Sequence, residues 1–219
     1  MKKGYIHITF LLDKSGSMQN IKSDTIGSFN SFLSEQKGVA GNCTLSLIQF
    51  DDKYEQDCKL LDINDVKNLD EKSYIPRGWT KLLDALGRSI NETGEELSKL
   101  DDKDKPEDVL FVVLTDGQEN ASQEFDAGSI SRLIENQTNK YSWKFLFLGA
   151  NQDAFSNASK YGIKSFSNSI SFDANQAGIT NAVGSLSSSV ARYRTATSDR
   201  KSSYKFFKKE DRDKQEINY

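Results

Sequence analysis

Cysteine and histidine are scarce in this sequence of 219 residues, which contains two cysteines and one histidine. A secreted domain held by disulfides usually has more cysteines. If Cys43 and Cys58 lie on paired strands that turn near residues 51–53, the register places them diagonally rather than opposite each other. We therefore predict two free thiols in a reducing compartment, the cytoplasm. A Ser–His catalytic pair is disfavoured as well, because His7 lies in an apolar run, where a core or hydrogen-bonded role is expected.

Long apolar runs and a large excess of one charge are also missing. No window approaches the roughly 18 apolar residues that a membrane-spanning helix needs. Lys2 and Lys3 precede an apolar stretch, but Asp13 ends it and no small-residue cleavage site follows, so we expect no secretory signal. A net charge of −3 gives no basic footprint for nucleic acid. The sequence thus predicts neither a membrane anchor nor a global affinity for nucleic acid.

Apolar runs do alternate with helical patterns along the chain. The nearly continuous run 5–12 is typical of a parallel strand covered on both faces. The run 54–61 is less apolar and follows a polar turn, which predicts an antiparallel edge strand paired with 43–50. This α/β pattern predicts a doubly wound, Rossmann-like, mostly parallel six-stranded sheet with one antiparallel edge strand and helices on both faces. The predicted strands are 5–12, 43–50, 54–61, 109–114, 143–148 and 167–172.

One domain over residues 1–194 and a tail over residues 195–219 are predicted, because helical periodicity fades beyond Arg194. The tail interleaves basic and aromatic residues before acidic residues return, so we expect a loosely packed or flexible end. Two local features are also predicted. A short helical piece lies near residues 66–69, and Thr80 caps the helix that follows it.

Three loops at the ends of predicted strands or before a helix carry only hard oxygen donors. In a doubly wound sheet the ligand site lies beyond the carboxyl ends of the central strands, so these loops should meet. Two carboxylates and three hydroxyls with no thiol or imidazole favour Mg²⁺, or Mn²⁺ or Ca²⁺, over Zn²⁺ or Cu²⁺. The candidate metal residues are Asp13, Ser15, Ser17, Thr80 and Asp116.

These loops carry a family resemblance. The segments Asp13-Lys14-Ser15-Gly16-Ser17, Gly78-Trp79-Thr80 and Thr115-Asp116-Gly117, in this order and with these neighbours, resemble a von Willebrand factor A domain with an intact metal-ion-dependent adhesion site. The resemblance covers residues 5 to about 193. Each motif alone would arise often by chance, and it is their order and spacing that support the resemblance.

The resemblance implies that Ser15, Ser17 and Thr80 bind the metal directly, that Asp13 and Asp116 often act through water, and that a partner carboxylate completes the shell. It therefore implies a protein–protein recognition module and not an enzyme. Stand-alone intracellular bacterial and phage members of this family often act beside ATPases or within larger assemblies. The resemblance therefore also implies an ATPase or a larger assembly as a partner.

Several neighbouring residues receive two interpretations each. Trp79 is either an aromatic anchor for a partner or a packing residue of its loop, and Asp84 is either a partner of the metal ligands or an ordinary helix acid. Six residues are expected to rim the same face, each more often solvated than specific: Lys14, Gln19, Glu119, Asn120, Asn151 and Asp153.

Two alternative functions remain open at this point. A Mg²⁺-dependent phosphoester hydrolase could use Asp13 as its nucleophile, but such enzymes resemble Asp-x-Asp, and Ser15 stands where the second acid would be. A nucleic-acid-associated role would rest on the basic and aromatic residues from Arg192 to Lys209. A solvated tail or a partner-docking helix explains those residues more simply.

Overall fold

A six-stranded sheet forms the centre of the computed structural model, which describes residues 1–117, 119–150, 154–163 and 168–215. The strand order is β3-β2-β1-β4-β5-β6, and only the β2–β3 pair is antiparallel. The predicted fold class is confirmed. The strands are β1 Lys2–Asp13, β2 Cys43–Phe50, β3 Tyr54–Asp62, β4 Pro106–Thr115, β5 Lys144–Ala150 and β6 Ser169–Phe172.

Helices cover both faces of the sheet. A 3-10 helix, Gly16–Ile21, leads into α1 Lys22–Gly38, and the others are α2 Leu82–Ser98, α3 Ala127–Tyr141, α4 Ala154–Lys160, α5 Gln176–Arg194, α6 Ser198–Lys201 and α7 Lys209–Asp213. None of the helices within the described residues is long and apolar enough to cross a membrane.

Alternation along β1 divides the core into two layers. Successive side chains of a strand point to opposite faces, so Phe10 lies with α1 and α5, where its ring centroid is 5.3 Å from that of Phe29. Leu11 lies on the other face, in the cluster that contains Leu86 of α2 and Ile130 of α3. Both faces of the central strands are therefore buried, as the apolar run predicts.

The β2–β3 hairpin confirms the interpretation of the cysteines. Leu47 is the register partner of Cys58, so Cys43 and Cys58 do not face each other across the strands. Both cysteines are free. Burial raises the pKa of the Cys43 thiol to about 11, which keeps it protonated and unreactive.

Two local predictions are wrong. Residues 66–70 form no regular structure, because Asn30 of α1 binds both the amide and the carbonyl of Leu69, at 2.8 and 2.9 Å, and so substitutes for local helical bonds. Thr80 does not cap α2. The helix begins at Leu82, Lys81 occupies the N-cap position, and no side chain caps it there.

The C-terminal segment differs from the loosely packed end that the sequence predicts. Phe206 and Phe207 are buried in the core, and Ser189 of α5 donates a hydrogen bond of 2.6 Å to the Phe206 carbonyl. Lys201 is also buried, with its Nζ 2.5 Å from Asp108 Oδ2. The sequence pattern hides this packing because the aromatic residues alternate with basic ones without helical or strand periodicity.

Candidate metal centre

Two adjacent parallel strands bring the first and third loops together. Leu12 of β1 is the register partner of Leu114 of β4, so both strands end at the same edge of the sheet. The chain leaves β1 at Asp13 and leaves β4 at Thr115. The side chains of residues 13–17 and of Asp116 therefore emerge side by side, as expected for a doubly wound sheet.

Asp13 is fully buried and held by two hydrogen bonds. The Ser15 amide donates to Oδ1 over 2.7 Å, and the Thr115 hydroxyl donates to Oδ2 over 2.5 Å. The Tyr74 hydroxyl donates to the Asp13 carbonyl over 2.6 Å. Sequence reasoning assigned no role to Thr115 or Tyr74, and only the fold shows that Thr115 binds the Asp13 carboxylate and that Tyr74 binds the Asp13 backbone.

Ser15, Ser17 and Asp116 form a continuous row of oxygens. Ser15 Oγ lies 3.1 Å from Ser17 Oγ, and the Ser17 hydroxyl donates to Asp116 Oδ1 over 2.6 Å. Ligands of an octahedral Mg²⁺ at about 2.0–2.1 Å are separated by about 2.9 Å along each edge. The Ser15–Ser17 separation is close to that value, so these two hydroxyls fit neighbouring positions of one hard-cation shell, and Asp116 lies beside Ser17, where it would hold a water of that shell.

Thr80 and Asp13 both lie close to Gly117. A Cβ at Gly117 would lie 2.8 Å from Thr80 Oγ1 and 3.4 Å from Asp13 Oδ2. The Thr80 hydroxyl and the Asp13 carboxylate therefore flank a position that only glycine fills without displacing them. With this contact, the structure brings all five predicted site residues together.

Both carboxylates are electrostatically unsatisfied. Burial raises the pKa of Asp13 from 3.8 to about 6, against the hydrogen bonds from Thr115 and Ser15, and the nearby Asp116 raises it further. Burial also raises the pKa of Asp116 above its ordinary value. Two carboxylates that resist ionisation favour a bound cation, which would relieve both.

Hydroxyls are essential to any cation site here. Within the residues that the structure describes, no group of three or more His, Cys, Asp or Glu side chains could hold a metal ion. Asp13 and Asp116 supply two carboxylates, and Ser15, Ser17 and Thr80 would complete the set. Such a donor set fits a hard divalent cation better than a soft one.

An ionic network next to the centre was not predicted. Lys14, expected as a rim residue, is instead buried and pairs with Glu55 of β3. Arg77 pairs with the same Glu55 and places its Nε 2.9 Å from Asp51 Oδ2. The two cations lower the pKa of Glu55, the Lys14 hydrogen bond first. The network ties the loop before Thr80 to the hairpin edge of the sheet.

The third loop is attached to the start of α2 by its own side chains. Asn120 accepts a hydrogen bond of 3.0 Å from the Thr80 amide, and Glu119 accepts one of 2.9 Å from the Leu83 amide. Asp84 accepts from the amides of residues 123, 124 and 125. Asp84 is thus a loop-fixing residue, and Glu119 satisfies a helix amide that the missing local cap leaves open.

The remaining rim residues are less informative. Gln19 is exposed, and Asn151 and Asp153 lie outside the described residues. Trp79 is 68% exposed, so it does not serve as a packing residue of its loop.

The comparisons with known proteins agree with this fold. A model of the von Willebrand factor type A domain matches residues 7–209, which extends beyond the predicted domain boundary at residue 194. No curated protein matches the chain in sequence.

Several solved structures are similar in fold. Proximal thread matrix protein 1 of the mussel byssus, with a zinc-occupied MIDAS motif, is similar over 86% of this chain at 14% identity and a TM-score of 0.57. Manganese-loaded TRAP protein of Plasmodium vivax is similar over 81% of this chain and 72% of its own at 16% identity and 0.53. The SpRpn10 VWA domain is similar over 82% of this chain and 93% of its own at 12% identity and 0.54. This chain spans just under half of the mussel protein, 46%.

Proposed function

The chain belongs to the von Willebrand factor type A domain family, and we propose that it is a divalent-metal-dependent protein-recognition module with a metal-ion-dependent adhesion site. Members of this family typically mediate protein–protein interactions through such a site. The observation that carries the proposal is the row of oxygens from Ser15 to Asp116, which reaches solvent at the exposed Ser17.

Ser15, Ser17 and Thr80 would bind the cation directly, and Asp13 and Asp116 would act through water. Mg²⁺ is the first candidate, with Mn²⁺ and Ca²⁺ as alternatives, because all donors are hard oxygens. Two structures of similar fold were solved with a divalent cation, manganese in the Plasmodium protein and zinc in the mussel protein. These support a divalent cation here.

An acidic group of a partner protein is the ligand that such a site favours. The three hydroxyls carry no formal charge, so a bound cation keeps a strong attraction for an incoming carboxylate. A cage made only of carboxylates would neutralise it. The exposed side of Ser17 is where the partner's carboxylate would enter.

Binding, and not turnover, is the chemistry that these residues support. Asp13 could act as a phosphoester nucleophile only if a second acid protonated the leaving group. Ser15 stands at that place, and the hydrogen bonds to the Asp13 carboxylate come from Ser15 and Thr115. A phosphate-ester hydrolysis assay with Mg²⁺ tests this point, and turnover lost in Asp13→Asn would contradict our proposal.

We also propose that the protein acts in the cytoplasm, as a bacterial or phage member of the family beside an ATPase or within a larger assembly. The two free cysteines support a reducing compartment. A nucleic-acid role of the C-terminal segment is disfavoured, because Phe206 and Phe207 are buried and cannot stack on bases.

A pull-down with the immobilised protein tests the proposal. We expect partner recovery in Mg²⁺ and loss of recovery in EDTA or with Asp13→Ala. The matched control is Asp65→Ala, because Asp65 is an exposed acid in a turn away from the site. Equal recovery from all four samples would rule out metal-mediated recognition. In parallel, Mg²⁺ should raise the melting temperature of the wild type and of Asp65→Ala, but not that of Asp13→Ala.

A further inference from the structure

An exposed aromatic residue lies directly beside the metal centre. Trp79 is 68% exposed and precedes Thr80 in the chain, and Ile75 of the same loop is 49% exposed. The other large hydrophobic residues described as exposed, Met1 and Tyr141, lie at the N-terminus and at the end of α3. Only this loop therefore presents apolar surface next to the five site residues, among the residues that the structure describes.

The backbone on both sides of Trp79 is attached to the other two loops. The Gly78 carbonyl accepts a hydrogen bond of 3.2 Å from the Gly16 amide, and the Thr80 amide donates one of 3.0 Å to Asn120 Oδ1. Consecutive Cα atoms are about 3.8 Å apart, so the Trp79 side chain begins within one residue of a candidate ligand. The exposed Trp79 side chain therefore extends from a backbone that is held on both sides.

The ionic network restrains the same loop two residues earlier. Arg77 pairs with Asp51 and Glu55, and its amide donates to the Lys14 carbonyl over 2.8 Å. Asp51 is fully buried, so the Arg77 side chain is anchored at the sheet. An aromatic side chain on a loop restrained from both sides loses little entropy on binding, which favours its use as a recognition residue.

We propose that Trp79 determines the specificity of the recognition site by packing against a large apolar side chain that follows the acidic residue of the partner. This inference rests on the proposed function. Every partner carboxylate makes the same contact with a bound cation, so that contact discriminates little between acidic proteins. A partner that brings its carboxylate to a cation held by Ser17 and Thr80 must also cover the neighbouring indole, and an apolar side chain is the group that gains most there.

Four blocked dipeptides test the inference in solution: acetyl-Asp-Phe-amide, acetyl-Asp-Gly-amide, acetyl-Asp-Lys-amide and acetyl-Asn-Phe-amide. The chain has two tryptophans, and Trp143 is only 4% exposed. In a ¹H–¹⁵N NMR titration, the Trp79 indole signal reports binding and the Trp143 signal serves as the internal reference. Backbone amides of Ser15 and Gly117 report the carboxylate contact independently.

In Mg²⁺ we expect the Asp-Phe peptide to bind roughly three- to tenfold more tightly than Asp-Gly, the range for one aromatic pair. It should shift the Trp79 signal and leave the Trp143 signal in place. Asn-Phe in Mg²⁺ and all peptides in EDTA should not bind. Trp79→Ala should remove the preference for Phe without changing the Mg²⁺ affinity, and Trp79→Phe should retain part of it.

The outcomes separate the inference from the proposed function. If Asp-Phe and Asp-Gly bind equally in Mg²⁺, or if the preference survives in Trp79→Ala, the role of Trp79 is overturned while metal-dependent carboxylate binding stands. If Asp-Lys binds most tightly, the partner residue is cationic and the inference fails in the same way. If no Asp peptide shifts the Ser15 or Gly117 amide in Mg²⁺, the proposed function fails and the inference fails with it.

Discussion

Strand β1 carries two polar clusters, and they differ in whether they reach solvent. In the middle of the strand, His7 and Thr9 are fully buried, with His7 Nδ1 2.9 Å from Thr44 Oγ1 and His7 Nε2 3.1 Å from Thr9 Oγ1. Thr9 continues to Thr93 of α2 over 3.2 Å. At the end of the strand, buried Asp13 lies beside the row of Ser15, Ser17 and Asp116, which reaches solvent at the exposed Ser17.

The His7 cluster is enclosed within the protein, whereas the Asp13 cluster is open to solvent. The His7 cluster is neutral, because burial lowers the pKa of the histidine to about 3, and every ring nitrogen has a hydroxyl nearby. The Asp13 cluster contains two carboxylates that burial makes harder to ionise. A satisfied neutral cluster stabilises a fold, whereas an open anionic one costs stability until a cation binds. The first therefore fits a structural role, and the second fits the binding role that we propose for it.

The largest effect is expected from His7→Ala. The substitution removes the centre of the closed cluster and leaves the buried hydroxyl of Thr9 and the half-buried hydroxyl of Thr44 with fewer partners, so the free energy of unfolding should fall by about 3 kcal/mol. Urea denaturation measures this loss. The increase in stability on adding Mg²⁺ should remain. A loss of Mg²⁺ response in a folded His7→Ala protein would show that the two clusters are coupled.

A smaller effect of opposite sign is expected from Asp13→Asn. Because the folded pKa of Asp13 is about 6 instead of 3.8, its ionisation costs stability above pH 6 and costs nothing below about pH 4. In EDTA, the variant should therefore be more stable than the wild type above pH 6, by about 1–3 kcal/mol. This gain should disappear as the pH falls towards 4.

In Mg²⁺ the wild type should instead be more stable than Asp13→Asn. Calorimetric titration should give an affinity at least about tenfold weaker for Asp13→Asn, a change of about 1.4 kcal/mol or more. Asp65→Asn is the matched control, since it removes the same charge from an exposed turn. A variant that is less stable than the wild type in EDTA at pH 7 would identify Asp13 as a structural acid and contradict the comparison.

The smallest effect is expected from Ser17→Ala. Ser17 is exposed, and among the described residues its hydroxyl forms side-chain hydrogen bonds with Ser15 and Asp116 of the open cluster. The free energy of unfolding should change by less than about 0.5 kcal/mol, while the Mg²⁺ affinity falls by a few-fold. If stability falls without a change in affinity, Ser17 belongs to the fold and not to the centre.

Much of the architecture could be predicted from local pattern. Apolar runs of the length of a strand, separated by helical periodicity, predicted the parallel sheet and its antiparallel edge. The five site residues were also predicted as a group, because strand ends and oxygen chemistry can be recognised locally. Their proximity is a property of the structure, and their role as metal ligands stays a prediction.

Contacts between residues distant in sequence could not be predicted in this way. The hydrogen bond from Thr115 to Asp13 joins residues 102 apart, and that from the Thr80 amide to Asn120 joins residues 40 apart. Lys14 was expected at a solvated rim but is buried against Glu55, because charge pairing depends on which strand lies alongside. The burial of Phe206 and Phe207 could not be predicted for the same reason, because the site that buries them forms only when α5 has packed.

The sequence by itself determined the layers of the fold and the chemistry of the five donors, since hydrophobic periodicity and ligand hardness are properties of residues and their spacing. Only the tertiary structure decided which polar residues close on each other and which stay open. His7 and Asp13 lie six residues apart on one strand. Thr44 of the neighbouring strand and Thr9 of the same strand place hydroxyls at both ring nitrogens of His7, but the strand's end leaves the oxygens around Asp13 open to solvent at Ser17.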